Sequence, residues 1–342
     1  MAKISHAFEM LLKRGKARTC LIEGEDCTRT TIQAHSVQNS TILEQIVDTT
    51  GHVYTFKTQP SGLALSRLGR NKATTFSGLC NHHDTQLFRE IDFSNQSIPT
   101  VFTPRQKTLF FLRALLLEGW KKQSIVNSLG DIAKGIEAKD ALKVAALLNV
   151  SEKEIVDTLV NPEPFAWSIE GNIKGLDEFR AQSRAVFGQL RSGKFHNTVT
   201  HHWRLRSRIE AVVTTGFTPI WDLEGTHLYD LSKMPPRMSH MSLTVFPDGE
   251  FVNVFISHHR LHQARLQKLM DQIGKHFSKA TGWQDWLTEF MLEHSENIVM
   301  RPSFIEALKP TERDALEKAV RWTSTDSRPP ETYLPFCFFS KG

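Results

Sequence analysis

The spacing of apolar residues along the chain changes character twice, and the changes divide it into three stretches. Residues 1–102 carry apolar positions in short bursts between polar turns. Phe8, Leu11 and Leu12 share one helical face that Gly15 ends, which predicts a short helix over residues 6–14. Thr30-Thr31-Ile32-Gln33-Ala34 has the composition of a strand feeding His35. Ile42, Leu43 and Ile46 give helical spacing over 41–47, and a second short strand is expected over 52–56. Pro60, Gly62 and Gly69 mark residues 59–71 as a loop. Residues 74–78 then approach Cys80, and a helix over 82–89 would turn Leu87 and Phe88 inward.

From Pro104 the pattern becomes helical. Thr103-Pro104 is a good helix start, because threonine caps and proline is tolerated in the first turn, and residues 109–120 are dense in leucine and phenylalanine. Breaks are expected at Gly130 and Gly135, Ser151-x-x-Glu154 is a capping-box match, and Asn161-Pro162 with Pro164 marks a second boundary. The third stretch mixes periods. Residues 175–190 suit a helix, 203–214 and 243–256 suit strands, and 258–276, 282–294 and 311–322 suit helices. Phe246-Pro247-Asp248-Gly249 is expected as the turn of a hairpin. The expected class is α+β, with a metal-bearing module at 1–102, a helical middle at 103–162 and an α+β domain of undefined role at 163–342.

Composition narrows the classes without choosing among them. With 342 residues, 40% hydrophobic and 23% charged, the chain can bury more than one core and fits neither a disordered nor a disulfide-dense protein. No apolar run reaches the roughly 20 residues that span a bilayer, and the first residues lack a signal-peptide pattern. A cytoplasmic protein with reduced thiols and no membrane partner is therefore expected. The formal charge of +5 permits a nucleic-acid partner and demands none. Lys13, Arg14, Lys16 and Arg18 lead into Cys20, and Arg67, Arg70 and Lys72 precede Cys80; such cations either contact phosphates or only solvate a surface.

The chemistry concentrates in the first stretch, which holds three of the four cysteines. Cys20 and Cys27 are separated by six residues, and Cys80 and His83 form a tight second pair at a helix mouth. Thiolates and an imidazole, two from a loop and two from a helix start, are a tetrahedral zinc set. Buried thiols and a surface histidine would be the plainer explanation. Cys337, in an apolar tail, is expected to be a packed free thiol.

Through Cys20, Cys27, Ala34-His35-Ser36-Val37-Gln38 and Cys80-x-x-His83-Asp84, residues 15–92 resemble the HNH, or His-Me finger, nucleases. In that family a ββα element sits on or beside a zinc-binding treble clef. The resemblance implies a metal-dependent endonuclease acting on DNA or RNA, in settings such as bacterial defence, with His35 as general base. It also implies structural Zn2+ on Cys20, Cys27, Cys80 and His83, and a catalytic Mg2+ or Mn2+ on Asp84, whose hard oxygen suits such an ion. Asn71 would be the asparagine that orients the histidine, with Asn81 and His82 in supporting roles. One departure stands out: the family's second ion ligand precedes the histidine, and here that residue is Ala34. His82 or Asp48 would have to replace it, or the module would be a non-catalytic zinc finger that binds nucleic acid or a protein.

The remaining candidates are weaker. His201-His202 and His258-His259 with His262 offer metal-ligand types but no zincin glutamate, and Glu296 falls in a polar loop. No glycine-rich phosphate loop or nucleophile elbow is present. Trp203, Phe217, Trp221, Phe246 and Phe251 interleave with Arg204, Arg206 and Arg208, which fits either sheet packing or a nucleic-acid surface, and the C-terminal region is also where a protein partner would dock.

Overall fold

A computed structural model describes residues 15–22, 24, 26–59, 62–93, 97–148, 151, 163–229, 238–295, 297–323 and 334–340. The expected helix at 6–14, the Glu154 cap, the Asn161-Pro162 boundary and Glu296 lie outside them. The fold is α+β. In chain order the elements are β1 (Ala34–His35), β2 (His52–Gln59), β3 (Gly62–Gly69), β4 (Thr75–Phe76), α1 (Phe88–Asp92), α2 (Pro104–Glu137), α3 (Ala141–Leu148), α4 (Glu163–Ser192), β5 (Thr198–Arg206) and β6 (Ala211–Phe217). They continue with β7 (Met241–Asp248), β8 (Phe251–His259), α5 (Gln263–Phe277), α6 (Trp283–His294), β9 (Val299–Met300), α7 (Pro302–Ala307) and α8 (Pro310–Thr323). Among the described residues, no helix is long and apolar enough to cross a membrane.

Seven strands form one antiparallel sheet in the order β3-β2-β9-β6-β7-β8-β5. The short β9 pairs Met300 with Tyr54 on one side and with Ala211 on the other, so strands from the first and third stretches share a sheet. Helix α2 lies along this sheet. Its Leu109, Phe110, Leu112 and Leu116 enter the same core as Ile42, Leu43, Phe76 and Phe88 from the first stretch and Phe246 and Phe255 from the sheet. A second core, around Val213, Leu243, Val254, Ile273 and Phe290, fills the other face beneath α5 and α6.

Several expectations change in detail. Residues 62–69, expected as loop, form β3, because Leu63, Leu65 and Leu68 pair across to β2 and outweigh the glycines at the strand's two ends. The expected strand at 203–214 is two strands, β5 and β6, separated by residues 207–210. Pro247 and Asp248 belong to β7, and the hairpin turns at Gly249-Glu250, where Gly249 adopts φ +63°. His258 and His259 close β8 instead of opening a helix, so the one-turn spacing of His258 and His262 is not realised. Gly130 and Gly135 do not break α2, whose 34 residues run through both. Gly135 is needed for a close crossing, since a Cβ there would lie 2.7 Å from Val144 Cγ2 of α3.

The segment before Cys20 is pinned to α2 by backbone contacts. Ser124 Oγ accepts from Ala17 N at 3.0 Å, Trp120 Nε1 donates to Ala17 O at 3.0 Å, and Asn127 Nδ2 donates to Gly15 O at 3.0 Å. Gly15 permits this approach, because a Cβ would collide with Ser128 Oγ and the Ser124 carbonyl oxygen. Gly15→Ala is expected to destabilise the protein by about 1–3 kcal/mol, as overpacking against rigid backbone does, and a urea midpoint compared with wild type checks it.

Candidate metal centre

Two short hydrogen-bonded crossings bring the ligand loops together. Leu21 N donates to Gly78 O and Ile32 N to Leu79 O, each at 2.9 Å, and Thr31 bridges Cys80. These contacts set the loop carrying Cys20 and Cys27 beside the stretch entering the helical turn His83–Leu87, a π-type turn that continues into α1. Such turns recur at functional sites because they re-aim side chains within a helix. Asp84 N donates to Cys80 O at 3.0 Å and closes the first turn, leaving His83 facing the thiols.

The ligand atoms of Cys20, Cys27, Cys80 and His83 all lie within 4.8 Å of one another. His83 Nδ1 is 3.2 Å from Cys20 Sγ and 3.4 Å from Cys80 Sγ, and Cys80 N points at Cys20 Sγ at 3.4 Å. Zn–S bonds of about 2.3 Å and Zn–N bonds of about 2.0–2.1 Å give tetrahedral edges of roughly 3.6 Å for S···N and 3.8 Å for S···S. The cluster therefore has the dimensions and the soft donor set of a metal site such as one for zinc. Cys80 is fully buried and His83 is 6% exposed, while Cys20 and Cys27 are half-buried. Among the described residues, this is the one group of three or more potential ligands so gathered.

Electrostatics point the same way. Burial, with the neighbouring thiols adding to it, pushes the Cys20 thiol up to about 12. Burial also works to raise Cys80, but hydrogen bonds from the His83 and Thr28 backbone, the Thr28 hydroxyl and Cys20 bring it down to about 7. Crowded thiols cannot all ionise in a buried site without a cation, and a bound dication reverses the penalty. Burial lowers the His83 pKa, so its imidazole stays neutral and ligand-competent at neutral pH.

His35 lies on a two-stranded ladder, where Ala34 pairs with Phe76 and His35 with Thr75. Burial depresses its pKa, and Arg113 depresses it further against the Ala73 carbonyl and Asp92. Its Nδ1 meets Thr74 Oγ1 at 3.3 Å, and that hydroxyl donates to Val37 O at 3.4 Å. The His35 ring is thus held by the Thr74 hydroxyl and the Ala73 carbonyl. Thr74 adopts φ +59°, a costly conformation for a β-branched residue. Asn71 is exposed, and its Oδ1 accepts from Asn39 Nδ2 at 2.8 Å, whereas Thr74 and Ala73 are the residues that hold His35.

Asp84 turns away from the thiols toward a partner that sequence reading missed. Arg113 of α2, its side chain 4% exposed, places Nη2 3.0 Å from Asp92 Oδ1 and 3.7 Å from Asp84 Oδ1, with its guanidinium 4.3 Å from the centre of the Phe88 ring. Burial raises the Asp84 pKa, Arg113 opposes the rise and Asp92 adds to it. The missed signal was available: Arg113 is a lone charge inside Leu109-Phe-Phe-Leu-Arg-Ala-Leu-Leu-Leu, and a cation there requires a buried partner.

The divalent ion implied for Asp84 does not fit this arrangement. Ala34 is fully buried and offers no ligand atom, and both nearby carboxylates already face a guanidinium. The substitutes are engaged elsewhere. Asp48 binds Thr50, His52 and Arg67 at the foot of β2, which holds its carboxyl well below the usual carboxylate range. His82 packs edge-on against His83, and exposed Asn81 accepts from Thr85.

The later candidates resolve into packing. His202 Nε2 meets Asn253 Oδ1 at 2.9 Å while its ring stacks on Phe255, and His201 stacks against Trp203. Phe246 is fully buried, Phe217 is buried, and Trp203 packs on Phe277. Arg204 pairs with Asp248 and covers Phe251, while Arg206 and Arg208 face Glu250. Cys337 is a half-buried free thiol beside Thr288. Compared with protein-family models, curated proteins and solved structures, the chain has no significant match in any of the three.

Proposed function

We propose that the chain is a zinc-stabilised binding protein whose first module has an HNH-like layout, contacts nucleic acid through its phosphates and does not cleave it. The observation that carries this reading is the buried Arg113 set against Asp84 and Asp92, which gives these carboxylates a cation of the chain's own, while residue 34, an alanine, has no ligand atom to offer. The zinc ligands are proposed to be Cys20, Cys27, Cys80 and His83. Exposed Arg18 and Arg29 flank the first ligand pair, and exposed Lys72 lies just before the strand that leads to the second. Cations so placed suit a phosphate backbone, whose counterions they release on binding. The expected result is low-salt affinity for DNA or RNA, measured by fluorescence anisotropy, that falls by about 10–1,000-fold between 50 and 200 mM salt. Charge reversal at Arg18 and Arg29 should flatten that slope, and no affinity for either polymer at low salt would remove the proposal.

A second reading, the endonuclease, has its own support in His35. Burial depresses the His35 pKa and favours the neutral imidazole, the form a general base takes. That reading predicts nicking of a plasmid or an RNA substrate that His35→Ala reduces by at least about 100-fold, with metal content and circular dichroism unchanged. Under the binding reading neither wild type nor variant cleaves, with or without added Mg2+ or Mn2+.

A further inference from the structure

We propose that the Arg113 guanidinium is the resident cation of the Asp84–Asp92 pair, so that this position in the HNH-like unit excludes Mg2+ and Mn2+. The inference deepens the binding reading but rests on its own geometry. Nη2 of Arg113 lies between the two carboxylates, hydrogen-bonded to Asp92 at 3.0 Å and facing Asp84 at 3.7 Å. A guanidinium cannot shed its proton at any pH a protein survives, so its charge is permanent. It also cannot step aside: its side chain is 4% exposed and wedged against the Phe88 ring, on the face of α2 that enters the core with Phe110 and Leu109.

Asp84 Oδ1 and Arg113 Nε are both buried, and neither makes a hydrogen bond among the described residues. An open carboxylate oxygen of this kind is what a hard dication would seek. A dication bound there would meet the guanidinium within a few ångströms in a poorly solvated site, and their repulsion opposes binding. It would also find one carboxylate already committed to a hydrogen bond and no ligand at Ala34. The arginine thus neutralises carboxylates that a metal would otherwise hold, using a charge supplied by the helical middle of the same chain.

The test uses the zinc-loaded full chain titrated with Mn2+, with the free aqua ion followed by electron paramagnetic resonance. Wild type is expected to take up no Mn2+ that Asp84→Asn abolishes, so the two titrations should superimpose. Arg113→Gln is expected to gain one Mn2+ per chain, at least tenfold tighter than any uptake by wild type, and Arg113→Gln with Asp84→Asn should lose it. Stoichiometric Mn2+ on wild type that Asp84→Asn removes would overturn the assignment, as would a folded, zinc-replete Arg113→Gln that gains no site. Should Arg113→Gln fail to fold, wild type against Asp84→Asn decides alone: equal uptake supports the assignment and reduced uptake overturns it. Cleavage of nucleic acid by wild type in the absence of free divalent ion would defeat the binding reading and leave this assignment standing.

Discussion

Cys80→Ser is expected to abolish metal binding and unfold the ligand-bearing part of the first module, the largest single effect predicted for this protein. The described residues of 15–32 form no helix or extended strand; their backbone is held by a few crossings such as Leu21 to Gly78 and Ile32 to Leu79. Of these residues, Cys20 and Cys27 join Cys80 and His83 in the candidate cluster. Structural zinc contributes roughly 10–16 kcal/mol of apparent binding free energy in small fingers at neutral pH, far more than these hydrogen bonds supply. Serine keeps the size but not the soft thiolate, and buried Cys80 leaves no room for another ligand to replace it. Metal analysis should fall from about one zinc per chain to none. Hydrogen exchange should speed up over residues 15–35 and 79–92, while β6, β7 and β8, whose other face packs in the second core with α5 and α6, keep their protection. Retention of zinc by Cys80→Ser, or unchanged exchange in both segments, would contradict the assignment.

Acid should produce the same loss reversibly, and the direction follows from the thiols. A zinc-bound sulfur must be deprotonated, whereas without metal burial holds the Cys20 thiol up to about 12, well above its ordinary value. Throughout the range in which the metal-free Cys20 thiol stays protonated, zinc must displace that proton. Apparent affinity should therefore rise about tenfold per pH unit on account of this residue alone. His83 works differently: with its pKa lowered, it is already neutral at pH 7 and releases no proton there. Competition with a chromophoric chelator at pH 6, 7 and 8 checks this, and an affinity independent of pH would mean that Cys20 is not a ligand.

The four residues of the candidate cluster were legible because each announces itself by residue type and local spacing, and a loop pair plus a helix-mouth pair needs only one long-range pairing to come together. The helical middle was equally legible, since Thr103-Pro104 and the dense apolar run after it admit little else. Strand β3 was hidden because its glycines mark the ends and not the interior, so local breaker signals spoke against pairing that only β2 could reveal. The environment of Asp84 was hidden for a deeper reason. Arg113 and Asp92 lie 29 and 8 residues beyond Asp84 and have no motif in common. Only the packing of α2 against α1 shows that a charge in an apolar helix meets a carboxylate that family resemblance had reserved for a metal ion.

Phe255→Ala is expected to cost about 3–5 kcal/mol, the range for removing a fully buried aromatic ring. Against a total stability of roughly 5–15 kcal/mol this is a large fraction of the fold. Phe255 of β8 stacks on Phe110 of α2 at 4.8 Å, on His202 of β5 at 4.3 Å and on Phe246 of β7 at 5.8 Å, and Phe102 meets it edge-on at 4.8 Å. One ring therefore ties the helical middle to three strands of the sheet. Phe255→Leu keeps most of the volume and should cost less than about 1.5 kcal/mol, so the difference between the two variants measures the cavity. Phe110 and Arg113 are neighbours one turn apart on α2, so a cavity beneath Phe110 also loosens the seat of the guanidinium. In Phe255→Ala the urea midpoint should fall sharply while zinc content under native conditions stays at wild-type level, because no ligand contacts the lost ring. Loss of zinc in parallel with the midpoint would mean instead that the metal centre and the sheet unfold as a single unit.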